Sequence, residues 1–195
     1  HTTPVRITFT RPADKKNFTN ISCGIDSIVA NTGDATTTVD NCTPTANLIP
    51  SHADVVNNGS CSGSKMITRT WSLVDACGDA AFTQVQTITV SDTTRPTFTR
   101  PADKTIYTNS SCGFDSSVAN TGDVTGKADN CTPTANLIPS HADVVKNGSC
   151  SGSKIITRTW SLVDACGNAA FTHVQTLTCS VTTRPTLTHP RGCTI

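Results

Sequence analysis

Along Lys65-Met66-Ile67-Thr68-Arg69-Thr70-Trp71-Ser72-Leu73-Val74 the odd positions carry Ile67, Trp71 and Leu73, and the even ones Thr68, Thr70 and Ser72. A two-residue period places these sets on opposite faces of a strand, one buried and one wet. Arg6-Ile7-Thr8-Phe9-Thr10 alternates in the same way before Arg11-Pro12-Ala13-Asp14, which predicts a strand ended by a turn. A further strand is predicted over Gln84-Val85-Gln86-Thr87-Ile88-Thr89-Val90. Between these runs, Gly33-Asp34, Asp40-Asn41-Cys42, Asn58-Gly59-Ser60 and Asp75-Ala76-Cys77-Gly78 supply turn chemistry at short intervals. Arg69 falls on the inward parity, and its expected place is a stem packed over Trp71 with the charged head at the rim.

The whole pattern occurs twice. Cys23, Cys42, Cys61, Trp71 and Cys77 recur as Cys112, Cys131, Cys150, Trp160 and Cys166, each 89 residues on, and 72 of the 89 aligned positions from Thr8 to Pro96 are identical. Self-similarity at a fixed period signals an array, and this period is long enough for each repeat to hold its own core. The expected division is repeat 1 over 1–93, repeat 2 over 94–182, and at 183–195 the opening strand of a third repeat, because Arg184-Pro185-Thr186-Leu187-Thr188 echoes Arg95-Pro96-Thr97-Phe98-Thr99. That last strand is a candidate for assembly, since an exposed strand edge can accept a strand from a neighbouring chain.

Composition narrows the class. All 14 acidic residues are Asp, and Thr, Val, Ile, Asn and Ser abound, which disfavours helix and favours strands and turns. The net charge is +1, with no basic cluster and few aromatic residues, so a nucleic-acid partner is not expected. No run reaches the roughly 18 apolar residues that suggest a membrane span. His1 opens no signal-peptide pattern, and the expected chain is a processed or excerpted one.

The ten cysteines sort into four per repeat plus Cys179 and Cys193. An even set in a short unit reads as a disulfide framework, which persists outside the cytosol. Zinc is disfavoured by the absence of a Cys-x-x-Cys knuckle. Four cysteines allow three pairings, among which sequence does not choose. Cys179 and Cys193 stand outside the repeat pattern; they are close enough together to pair locally as Cys179–Cys193, the alternative being a bridge to another chain. Many short strands, and a tryptophan beside disulfides, predict an all-β fold of two tandem immunoglobulin-like β-sandwich domains.

The combination of Asp40-Asn41-Cys42, Arg69-Thr70-Trp71 with Asp75-Ala76-Cys77-Gly78, and Asp92-Thr93-Thr94-Arg95-Pro96 resembles hyalin-repeat-like (HYR-like) modules. These belong to very large secreted surface proteins, including adhesins of gliding and surface-attached bacteria. The resemblance covers both repeats and the terminal stub. It implies an immunoglobulin-like sandwich and a disulfide Cys42–Cys77, hence the set Cys42–Cys77, Cys23–Cys61, Cys131–Cys166 and Cys112–Cys150. Where many members have a cysteine before the opening-strand proline, this chain has Arg11 and Arg100, so any bridge there is missing.

Candidate chemistry is sparse. Asp34, Asp40, Asp75 and Asp92, with Asp54, offer oxygen ligands in turns and are the calcium candidates, against a plainer reading in which they accept hydrogen bonds from turn amides. Ser62-Gly63-Ser64-Lys65 spells a Ser-x-x-Lys motif but lies in a turn entering a strand with no partner motif. His52 and His141 stand without a nearby base or ligand and read as loop residues. No catalytic residue, cofactor site or membrane insertion is expected. The expected function is a non-enzymatic structural module of an extracellular surface fibre whose partners are copies of itself head to tail or further repeats. The alternative is a glycan- or protein-binding module acting through loops such as 45–58.

Overall fold

A computed structural model of the protein describes residues 7–182. It is an all-β protein with two β-sandwich domains, and the strand pairing follows the repeat. In repeat 1 the strands are β1 (Thr8–Thr10), β2 (Lys15–Phe18), β3 (Thr36–Val39), β4 (Ser51–Asn58), β5 (Lys65–Ser72) and β6 (Gln84–Ser91). In repeat 2 they are β7 (Thr97–Thr99), β8 (Lys104–Tyr107), β9 (Thr125–Ala128), β10 (Ser140–Asn147), β11 (Lys154–Ser161) and β12 (His173–Ser180). Each repeat forms one four-stranded sheet, β2-β6-β5-β4 or β8-β12-β11-β10, and one two-stranded sheet, β1-β3 or β7-β9. The four-stranded sheets are antiparallel except where β2 pairs with β6 and β8 with β12 in parallel.

The alternation in β5 does what its period requires. Ile67, Trp71 and Leu73 are buried, and in β6 the residues on the matching parity, Gln86, Ile88 and Val90, are buried beside them. Phe9 of β1 joins Ile7, Leu48, Trp71 and Leu73 in one cluster, so the small sheet closes over the large one. Ile67, Ile88 and Val90 form a second cluster, capped by Ile25. Repeat 2 builds its counterpart from Ile106, Ile156, Leu177 and Cys179, with Phe114 against it. Cys179 thus takes the core place of Val90 as a buried thiol, and burial raises its pKa. Its expected partner Cys193 and the expected strand at 183–195 lie outside the described residues.

Arg69 departs from its expected place at the rim. Its side chain is about 2% exposed, and Nε and Nη2 donate to both oxygens of Asp54 at 2.7 and 2.8 Å. Nη1 donates to Thr32 Oγ1, Nη2 also donates to the Ser27 carbonyl, and the guanidinium lies 5.9 Å from the Trp71 ring. An arginine so buried is tolerated because its donors are met and its charge is paired. Gln86 is the other buried polar residue of this layer. Its Nε2 donates to the carbonyls of Ala13 and Thr32, and its Oε1 accepts from Trp71 Nε1. Arg158, Asp143 and Thr121, with Gln175 and Trp160, repeat both arrangements in the second domain.

Grouping by proximity assigns two segments across the repeat boundary. One compact unit is His1–Pro96 together with Ala128–Leu137 and Val163–Asn168, and the other is Thr97–Lys127, Ile138–Leu162 and Ala169–Ile195. The first repeat is therefore completed by two loops from the second. Among the described residues, no helix is long and apolar enough to cross a membrane.

Candidate functional site

The two borrowed loops are held covalently. Cys23 is bonded to Cys131 and Cys61 to Cys166. This corrects the expected Cys23–Cys61 and Cys131–Cys166: the bonds join unlike members of the two repeats rather than members of one. Cys42, Cys77, Cys112 and Cys150 are exposed thiols, so the Cys42–Cys77 and Cys112–Cys150 bonds are not formed either. The reason lies in the fold: repeat 1 presents Cys23 and Cys61 to the loops of repeat 2 that carry Cys131 and Cys166.

Local sequence shapes the receiving end. Asn20 accepts the amides of Ser22 and Gly24 on its side-chain oxygen and that of Cys23 on its carbonyl, turning Cys23 into a left-handed backbone conformation at φ 58°. Asn109 does the same for Cys112, also at φ 58°, so the turn exists whether or not its sulfur is bonded. Beside the bond, Gly63 has φ +87°, and a Cβ there would stand 2.4 Å from Cys131 Sγ. Only glycine suits both demands. Ser62 Oγ donates to the Cys131 carbonyl at 2.7 Å, so the Ser-x-x-Lys serine is a loop clasp.

The same loops bring carboxylates together. Asp92, Asp129 and Asp164 each offer an oxygen, and the three lie within 4.8 Å of one another. Asp92 and Asp164 are buried, and Asp129 is half-buried. Asp92 Oδ1 accepts from Thr19 Oγ1 and the Thr94 amide. Asp129 Oδ2 accepts from the amides of Cys131 and Thr132, while Asp164 Oδ1 accepts from those of Cys166 and Asn168. Asn168 Nδ2 reaches both Asp164 Oδ2 and the Asp92 carbonyl. Asn130 Nδ2 donates to Thr19 Oγ1 and to the Asn20 carbonyl. That leaves Asp92 Oδ2, Asp129 Oδ1 and Asn130 Oδ1 buried with no hydrogen-bond donor.

Of the five calcium candidates, Asp92 is in this cluster and the other four are not. Asp34 accepts the Ala35 amide. Asp40 accepts the amides of Thr43 and Cys42, which hold its carboxyl below the ordinary range. Asp75 accepts those of Cys77 and Asp79. The remaining members of the cluster, Asp129 and Asp164, are the repeat-2 counterparts of Asp40 and Asp75. The residue types were legible in the sequence, but the copy supplying them was not. Asp54 serves Arg69, whose donated hydrogen bond lowers the Asp54 carboxyl pKa, and Asp143 is held in the same way by Arg158.

The histidines are not loop residues. His52 and His141 lie on the sheet-edge strands β4 and β10, directly opposite Trp71 and Trp160, with ring centroids 5.0 and 4.9 Å apart. The expected binding loop at 45–58 is a 3₁₀ turn, Thr45–Asn47, followed by β4, every residue of which is exposed.

No protein-family model matches the chain, and no curated protein matches it. Among solved structures it is similar to the EC1-2 pair of human mucin-like protocadherin, at 8% identity over 90% of this chain and 98% of that one, with a TM-score of 0.34.

Proposed function

We propose that the protein is a non-enzymatic structural module of an extracellular fibre, in which each repeat is locked covalently to the loops of the next. One observation carries this reading. Cys23 and Cys61 are bonded to Cys131 and Cys166, the counterparts of Cys42 and Cys77, while Cys112 and Cys150 at one end of the pattern and Cys42 and Cys77 at the other are exposed thiols. Repeating the same register joins Cys112 to Cys42 and Cys150 to Cys77 of a following copy. Each bond takes two thiols, whose two protons and two electrons pass to a disulfide oxidant that leaves as two thiols. Such bonds persist in an oxidising extracellular setting, which is also where the HYR-like resemblance points.

The test is oxidation of the reduced, purified chain by glutathione disulfide at high concentration, followed by non-reducing electrophoresis, peptide mapping and negative-stain microscopy. A ladder of multimers linked through Cys112–Cys42 and Cys150–Cys77, lost in Cys42→Ser/Cys77→Ser, is the expected result. A monomer with internal Cys42–Cys77 and Cys112–Cys150 bonds overturns the reading.

A second reading, adhesion, draws on the edge strands: β4 leaves Val55 and Val56 more than half exposed on an unpaired sheet edge, which suits addition of a partner strand. A glycan and peptide array with wild type and Val55→Lys separates adhesion from a bare spacer.

A further inference from the structure

We infer that Asp92, Asp129 and Asp164, with Asn130, form a calcium site inside the first compact unit, assembled only when the loops of the second repeat are in place. Three carboxylates within 4.8 Å of one another repel unless a cation or protons offset their charge. The stronger sign is what these groups lack. Asp92 is about 95% buried, and its Oδ2 meets no donor, although its Oδ1 is fully used by Thr19 and Thr94. Asp129 has the same division, with Oδ2 occupied by two amides and Oδ1 orphaned. Asn130 turns its amide nitrogen to Thr19 and Asn20 and leaves its oxygen bare. A buried acceptor without a partner is costly, and each of these three oxygens has no hydrogen to receive.

The donor set selects the ion. All the ligands are hard oxygens, carboxylate and amide, with no imidazole or thiolate in the group, which suits calcium over zinc or copper. Calcium also tolerates irregular sets that share their lone pairs with amides, as Asp164 would, whereas magnesium demands a near-ideal octahedron and retains its waters. The loops that bring Asp129 and Asp164 are those pinned by Cys131 and Cys166. Disulfides and metal therefore fix the same two segments, and reduction should weaken calcium binding.

The second repeat cannot build this site from its own residues. Val181 stands where the repeat places Asp92, and Thr108, the counterpart of Thr19, has a buried hydroxyl without a partner. The calcium site does not depend on the fibre reading, because the ligands all lie within one chain.

Calorimetric titration of calcium into the oxidised monomer, with thermal unfolding in calcium and in chelator, tests the site. One saturable site and a calcium-dependent rise in Tm are expected. Asp129→Asn and Asp92→Val should weaken binding at least about tenfold by removing ligand charge, while Asp34→Asn, Asp40→Asn and Asp75→Asn leave it unchanged. Peptide mapping of both disulfides and circular dichroism check that each variant is folded. Magnesium should compete poorly. The proposal fails if calcium gives no saturable heat, or if folded Asp92→Val and Asp129→Asn keep the full Tm rise. Neither result bears on the multimer ladder that tests the fibre reading.

Discussion

Cys23, Cys61 and Asp92 in the first unit, and Cys112, Cys150 and Val181 in the second, are counterparts with unlike fates. The turn around Cys23 and that around Cys112 share their hydrogen bonds and their backbone strain, but only Cys23 has a sulfur partner. A Cβ at Gly63 would collide with Cys131 Sγ, whereas one at its counterpart Gly152 would stand 3.2 Å from Val181 Cγ2 and 3.8 Å from Cys112 Sγ. Thr19 donates to Asp92, and Thr108, facing no carboxylate, donates to nothing. The difference teaches that the turn forms whether or not its sulfur is bonded. Near-identical sequence builds it in both repeats, and in the first unit the loops carrying Cys131 and Cys166 meet it.

The largest break in the comparison comes from the sulfurs. Cys23 and Cys131 are 108 residues apart, and a bond closing a loop of that size removes about 4.7 kcal/mol of unfolded-state entropy. Cys23→Ser/Cys131→Ser should therefore lose about 4 kcal/mol in urea unfolding, whereas Cys112→Ser should change the monomer by less than about 0.5 kcal/mol. Equal losses would mean that the two turns do not differ.

The interior gives the opposite expectation, that the units match. Arg69→Ala and Arg158→Ala each strand a carboxylate that lost a bidentate partner, and each should cost about 3 kcal/mol by chemical denaturation. These pairs also contribute to the acid limit. Asp54 and Asp143 have folded pKa values lowered chiefly by hydrogen bonds from Arg69 and Arg158. Their contribution is present above the ordinary carboxylate pKa and is lost as pH falls through the lowered value, because the unfolded state binds more protons in that window. Stability should fall below about pH 4, and Arg69→Met should flatten the fall.

Smaller effects sharpen the contrast. Gly63→Ala adds a collision with Cys131 to the strain of a positive φ and should cost about 2 kcal/mol, with slower formation of the Cys23–Cys131 bond; Gly152→Ala should cost about 1 kcal/mol. Thermal unfolding and thiol titration during refolding would read both. Val181→Asp should give Thr108 the partner that Asp92 gives Thr19, raising stability by about 0.5–1 kcal/mol.

Much of the fold was legible in the chain. The parity of Ile67, Trp71 and Leu73 identified the buried face of β5, and the offset of 89 residues identified the repeat. The satisfied burial of Arg69 was not, because a guanidinium enters a core only when Asp54, Thr32 and Ser27 converge on it from separate segments. Gln86 was missed for the same reason: it sits on the buried parity as an ordinary polar residue until two carbonyls and an indole meet it. Of the carboxylate cluster, Asp92 was named from the sequence, whereas Asp129 and Asp164 are the repeat-2 counterparts of the named Asp40 and Asp75.

By itself, the sequence determined the repeat, the strands β1, β5 and β6 with their repeat-2 counterparts, and the residue types that crosslink them, since these depend on local periodicity and turn chemistry within each 89-residue unit. Only the tertiary structure decided which copy of each cysteine and aspartate meets which. Two nearly identical repeats offer chemically equal partners, and one sulfur is distinguished from another only by which loop the fold carries to it.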